Sequence, residues 1–157
     1  MPEPDDHVLA RSLAEEAGRL LLAVREELVA SGATGKELGA EGDRRSHELL
    51  MARLAEERPH DAVLSEEGAG SEGPSGTGRL TSSRVWIIDP LDGTREYGEH
   101  PRPDWAVHVA LVVDGEPVAG AAALPAQRRV LGTNPPAPTP AAPAPRPRVI
   151  VSRTRPP

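Results

Sequence analysis

The sequence contains no cysteine and no phenylalanine, and aromatic residues make up only 2% of the chain. Without cysteine there is no disulfide, no thiolate metal site and no cysteine nucleophile, which fits a reducing, cytoplasmic setting. With so few rings, the core has to be built from leucine, valine and alanine. No apolar run approaches bilayer-spanning length, and Met1-Pro2-Glu3-Pro4-Asp5-Asp6 lacks the positive start and apolar stretch of a signal peptide. The expectation is a soluble intracellular protein with no membrane partner. Basic tracts are missing as well. Eighteen Lys and Arg face 24 Asp and Glu, a net charge of −6, which disfavours nucleic acid polymers and anionic lipid. At 157 residues the chain has room for one ordinary domain.

What is present is strongly patterned. Leu9, Leu13, Ala17, Leu20, Leu21, Val24 and Leu28 recur at helical spacing and predict an amphipathic helix from His7 to about Ser31, capped by Asp5 or Asp6 and ended by Gly32. A loop over Ser31 to Gly35 leads to a second helix from about Asp43 to Arg58, which Pro59 stops. Ala62 to Ser65 predicts a short strand, and the glycine- and serine-rich stretch from Gly68 to Ser83 a surface loop. Val85-Trp86-Ile87-Ile88 predicts a buried strand, with Pro90 ending its ladder pairing. One or two helical turns over Asp92 to Tyr97 come next. Trp105 to Val113 and Pro117 to Leu124 then read as strands joined by an Asp114-Gly115 hairpin turn, and Gln127 to Leu131 as a further strand. The fold class is α+β, two N-terminal helices packed on a mostly antiparallel sheet. Residues 1–131 form this domain, 132–148 a proline- and alanine-rich linker, and 149–157 the first strand of a further domain.

The candidate chemistry lies at the ends of these elements. Asp89-Pro90-Leu91-Asp92-Gly93-Thr94 puts two carboxylates directly behind a buried strand, Glu66 and Glu67 follow another, and Asp43 stands near the predicted start of the second helix. Neighbouring strands would bring Glu66, Asp89 and Asp92 close enough to repel one another, a problem that a divalent cation solves. Hard oxygen donors suit Mg²⁺, which keeps several waters and is completed by phosphate oxygens. Gly93 and Thr94 offer backbone N–H groups for a phosphate, Thr94 a hydroxyl to orient water, and Asp43 a base. Each piece alone also has a plain explanation: a turn, a solvated acidic pair, a surface aspartate.

Leu64-Ser65-Glu66-Glu67-Gly68 followed by Trp86-Ile87-Ile88-Asp89-Pro90-Leu91-Asp92-Gly93-Thr94 resembles the two N-terminal signatures of the inositol monophosphatase-like, Mg²⁺-dependent phosphatases. Arg95-Glu96-Tyr97 resembles the 3'(2'),5'-bisphosphate nucleotidase branch, and Leu38 to Asp43, Asp104 to His108 and Ser152 to Pro157 are similar to its actinobacterial members. The resemblance implies Glu66, Asp89 and Asp92 as metal ligands, with the Leu91 carbonyl completing one coordination shell. It also implies Asp43 and Thr94 as the pair that activates water, and Glu67 as an outer support. Glu66 and the run Leu91, Asp92, Gly93 and Thr94 would line the substrate. The implied reaction is Mg²⁺-dependent hydrolysis of adenosine 3',5'-bisphosphate to AMP and phosphate, in sulfur metabolism, with a small phosphonucleotide as partner and a homodimer left open. An inositol or sugar phosphatase and a non-catalytic metal-binding module are the alternatives. The family's second domain supplies a further aspartate in a Trp-Asp-x-Ala motif, and the two tryptophans, Trp86 and Trp105, cannot stand in for it. The expectation is therefore a truncated chain with little activity of its own.

Overall fold

A computed structural model describes residues 4–66, 82–136 and 138. Glu67, most of the Gly68 to Ser83 loop, most of the linker and the strand expected at 149–157 lie outside the described residues, and Gly132, read from the sequence as the start of the linker, instead ends the last strand of the sheet. The first helix, α1, runs Pro4–Ala30, longer at its start than the periodicity predicts, so Asp5 and Asp6 sit inside its first turn and not at a cap. The second, α2, spans Gly35–Glu57 and begins two turns before the predicted Asp43. The reason is a capping box. Thr34 accepts from the Glu37 amide while the Glu37 carboxylate accepts from the Thr34 amide, satisfying two donors at the helix start.

The strands are β1 Ala62–Ser65, β2 Arg84–Asp92, β3 Ala106–Val113, β4 Glu116–Leu124 and β5 Arg129–Gly132, in the order β1-β2-β3-β4-β5. Among these described strands only the β1–β2 pair is parallel. The Asp114-Gly115 turn has positive φ at both residues, +50° and +86°, the pattern whose twist suits a two-residue hairpin. Gln127 belongs to a 3₁₀ turn, Pro125–Gln127, and β5 starts only at Arg129. Both helices cover one sheet face, α1 over β3 to β5 and α2 over β1 and β2. Leu13, Ala17, Leu21, Leu50, Leu54, Trp86, Ile88, Val109 and Leu111 fill the space between. No helix among the described residues is long and apolar enough to cross a membrane.

A third helix, α3 (Thr94–Gly98), is seated by α2 and α1. Tyr97 is fully buried, packs edge-on against Trp105 at 5.0 Å and donates its hydroxyl to the Leu21 carbonyl at 2.7 Å. Burial pushes its phenol upward, so it stays a donor. Arg25, 5% exposed, lies over both rings and donates to the Glu96 and Arg102 carbonyls. Gly42 of α2 faces this cluster, and a Cβ there would stand 2.6 Å from Tyr97 Cε1. Gly42→Ala gains about 1 kcal/mol of helix propensity but forces a clash on a ring that is held on three sides. Overpacking of this kind costs about 3 kcal/mol, so a net loss of about 2 kcal/mol is expected, read as a lower urea midpoint.

Candidate active site

The hexapeptide Asp89 to Thr94 begins in the last part of β2, which runs through Pro90 to Asp92 before Gly93 leads into α3. Contrary to the sequence expectation, pairing of β2 with β3 is only interrupted: Asp89 pairs with His108 and Asp92 with Ala106. Two residues, Pro90 and Leu91, thus stand opposite one, Val107, which is a β-bulge. The bulge has a chemical consequence. Residues three apart in a regular strand point to opposite faces, and the extra residue brings Asp89 and Asp92 to the same one. His108, across from Asp89, meets the Asp92 Oδ2 at 3.1 Å through its Nε2.

Every polar group of the bulge that the ladder leaves over finds a partner, as buried backbone requires. The Leu91 amide donates to Asp89 Oδ1 at 3.1 Å, and Thr94 Oγ1 donates to the Leu91 carbonyl at 3.0 Å. The Pro90 carbonyl accepts from Ser46 Oγ at 2.7 Å in the interior. Gly93 then takes φ +79°, the left-handed conformation, as the residue before α3. A side chain there would also press on the Asp104 carbonyl and Trp105.

The parallel β1–β2 ladder ends at Ser65 opposite Ile88, which sets Glu66 and Asp89 one step beyond it on adjacent strands. Asp89 is half-buried; Glu66 and Asp92 are exposed. Burial, then the facing Glu66 and Asp92 carboxylates, push the Asp89 carboxyl up to about 6, against the Leu91 amide and His108, which pull it down. These three predicted carboxylates therefore share one electrostatic site. Among the described residues, however, no three Asp, Glu or His side chains are gathered closely enough to hold a metal by themselves.

Asp43 is half-buried in the middle of α2, not near its start. Its neighbours on that helix face place it: Gly39, one turn earlier, lies 2.9 Å (as a Cβ) from Thr94 Cγ2, and Ser46, three residues later, bonds Pro90. Asp43 thus stands on the side of α2 that backs the hexapeptide. Glu67 is not among the described residues. Two contributors escaped the sequence, Ser46 and His47, the latter 2.9 Å from Ser65 Oγ through Nδ1. Neither has ligand spacing, and only their position one turn past Asp43 could have drawn notice.

Comparison with known proteins follows the same lines. The inositol monophosphatase family profile matches residues 5–134. A 3'-phosphoadenosine 5'-phosphate phosphatase of Mycobacterium leprae is 44% identical over 99% of this chain and 59% of its own, and one of Mycobacterium bovis 48% identical over 90% and 54%. The solved structure of Mycobacterium tuberculosis SuhB superposes with a TM-score of 0.63 at 30% identity, covering 80% of this chain and 42% of that one. The chain thus spans somewhat more than half the length of these phosphatase relatives. With a helix pair over a bulged, mostly antiparallel sheet, acidic strand ends on that sheet, and a profile match across nearly every described element, this chain belongs to the inositol monophosphatase family.

Proposed function

We propose that this chain carries the N-terminal part of a Mg²⁺-dependent phosphomonoesterase acting on 3'-phosphorylated adenosine nucleotides, with adenosine 3',5'-bisphosphate as substrate and AMP and phosphate as products. The observation that carries it is the shared field of Glu66, Asp89 and Asp92 at the end of β1 and β2. The 3'-phosphoadenosine 5'-phosphate phosphatases at 44% and 48% identity support the substrate class.

The donor set fits Mg²⁺. All the groups are hard oxygens, their mutual repulsion is what a dication offsets, and Mg²⁺ needs only one or two protein carboxylates because waters and phosphate oxygens complete its shell. That also accounts for the lack of a closed cluster of three among the described residues. The ligands would be drawn from Glu66, Asp89, Asp92 and the Leu91 carbonyl; the carbonyl keeps a second lone pair beside the Thr94 hydroxyl. Bound Mg²⁺ supplies a more acidic water and charge neutralisation at the phosphoryl group. The residues of the chain do the rest. The Gly93 and Thr94 backbone at the start of α3 orients the phosphate, Thr94 orients water, and Asp43, behind it on α2, takes the proton. His108 holds the Asp92 carboxylate in place.

The test is phosphate release from adenosine 3',5'-bisphosphate, with and without Mg²⁺, by this chain alone and fused to the remaining length of the Mycobacterium leprae relative. Mg²⁺-dependent release by the fusion, with a preference over inositol 1-phosphate, is expected. The reverse preference would make it an inositol phosphatase, as would suit the 35% identical inositol-1-monophosphatase of Mycobacterium leprae. Mg²⁺ binding without turnover on either substrate would leave a metal-binding module.

A further inference from the structure

Two strands lead to the acidic groups, and among the described residues the ladder between them does not reach those groups themselves. The β1–β2 ladder stops at Ser65 and Ile88, one residue short of Glu66 and Asp89. On the other side, the bulge leaves Pro90 and Leu91 without regular partners in β3. Consecutive residues of α2 reach both places, the bulge of β2 and the last paired residue of β1. Ser46, fully buried, donates to the Pro90 carbonyl at 2.7 Å, taking the place of a ladder donor. His47, half-buried, meets the hydroxyl of Ser65, itself 2% exposed, at 2.9 Å. One side chain therefore grips the β2 end between Asp89 and Asp92, and the next grips the β1 end just before Glu66.

We propose that Ser46 and His47 are positioning residues, a two-pronged bracket from α2 that sets the separation between Glu66 and the Asp89–Asp92 pair and so the affinity of the site for a divalent cation. The inference rests on the metal-site reading above. A helix can serve this purpose because α2 is itself fixed at both ends, by the Thr34–Glu37 capping box at its start and by Arg58 at its C-cap. Adjacent helix residues diverge by about 100°, which lets neighbours in sequence reach two different strands. Outer-shell partners of metal ligands commonly contribute 10–100-fold in affinity.

The experiment compares the chain with Ser46→Ala/His47→Ala, with His47→Gln, which retains a polar partner for Ser65, and with Asp61→Asn. Asp61 pairs with Arg84 at the opposite end of the sheet, so Asp61→Asn is a destabilised control far from the bracket. Mg²⁺ affinity is read by calorimetry, and the amide resonances of Glu66 and Asp92 to Thr94 by metal-free NMR. The double variant is expected to bind Mg²⁺ at least about tenfold more weakly and to shift those resonances. Asp61→Asn should lower the melting temperature with neither effect, and His47→Gln should recover most of the affinity. Unchanged resonances in the folded double variant, or affinity within twofold of the parent, would overturn the bracket. If the double variant fails to fold, the single Ser46→Ala and His47→Ala chains are read in the same way, and unchanged resonances in both would overturn it. Shifted resonances in the double variant, with a parent chain that binds no Mg²⁺, would sustain the bracket's geometry and overturn its link to the metal.

Discussion

Asp6→Ala is expected to lower the unfolding free energy by about 3 kcal/mol, a large share of the roughly 5–15 kcal/mol that holds a domain of this size together. Asp6 is 0% exposed and accepts from Arg58 and Arg84 at 2.9–3.1 Å. Arg84 in turn reaches Asp61, which also accepts from the Trp86 indole at 2.8 Å. The network ties the first turn of α1 to the C-cap of α2 and the first residue of β2. Removing one carboxylate strands two partly buried guanidiniums, which is why loss of half a buried pair costs more than the pair contributes. The loss falls short of the 5 kcal/mol extreme because Arg58 keeps Asp5 and Arg84 keeps Asp61. A urea titration should show the midpoint fall with an unchanged slope. Glu41→Ala, which breaks a pair with exposed Arg44 and one with half-buried Arg45, should move it far less, since solvent-screened pairs contribute little. Equal losses from the two variants would show that Asp6 is not a keystone.

Asp89→Asn is expected to separate stability from function. The Asp89 carboxyl lies at about 6 against an ordinary 3.8, so the folded metal-free chain holds the proton more tightly than the unfolded one. The associated stability is full below about pH 4 and is lost as pH rises through 6. Asparagine mimics the protonated form and keeps the oxygen that accepts from the Leu91 amide. At pH 7, without metal, the variant should be more stable than the parent by about 1 kcal/mol, a figure discounted for the solvent that reaches this half-buried group. The same change removes the charge of a proposed ligand, so Mg²⁺ affinity should fall more than about 100-fold, beyond the loss typical of outer-shell partners. Melting curves at pH 4 and 7, with and without Mg²⁺, give both results. In the parent, Mg²⁺ should raise the melting temperature at pH 7 and lose that effect as pH falls through 6. Asp89→Asn that still binds Mg²⁺ within tenfold of the parent would remove Asp89 from the site.

Much of this was legible in the sequence because it depends on periodicity and on local turn chemistry. The leucine stripe of α1, the Val85 to Ile88 run and the Asp114-Gly115 hairpin needed no tertiary information. Glu66 and Asp89 could be paired because both follow buried strands. Where the sequence misled, a local signal was outvoted. Glycines on either side of Thr34 look like loop, yet Thr34 and Glu37 form a capping box, and α2 starts eight residues early. That early start moved Asp43 from a helix end to the helix face behind the hexapeptide. Pro90 looked like a strand end but marks a bulge, because its missing N–H falls where the ladder is already irregular. Asp6 looked like a cap, and only the spatial meeting of Arg58 and Arg84, 52 and 78 residues away, makes it a buried anchor. Long-range polar networks leave no periodic trace in a sequence.

The close seating of α3 on α2 has a bearing on transplantation. Gly39 and Gly42 leave only the room that Thr94 and Tyr97 occupy, and Gly35 and Gly98 meet backbone to backbone. Asp89 to Thr94 grafted onto the end of a foreign strand would carry its carboxylates and its turn, but not the flat helix surface that α3 rests on. The N–H groups proposed to orient the phosphate would then be left to wander with an unsupported five-residue helix. The heritable unit of this candidate site is the hexapeptide together with the glycine face of α2, and a minimal module cut from this fold to test the proposed chemistry has to contain both.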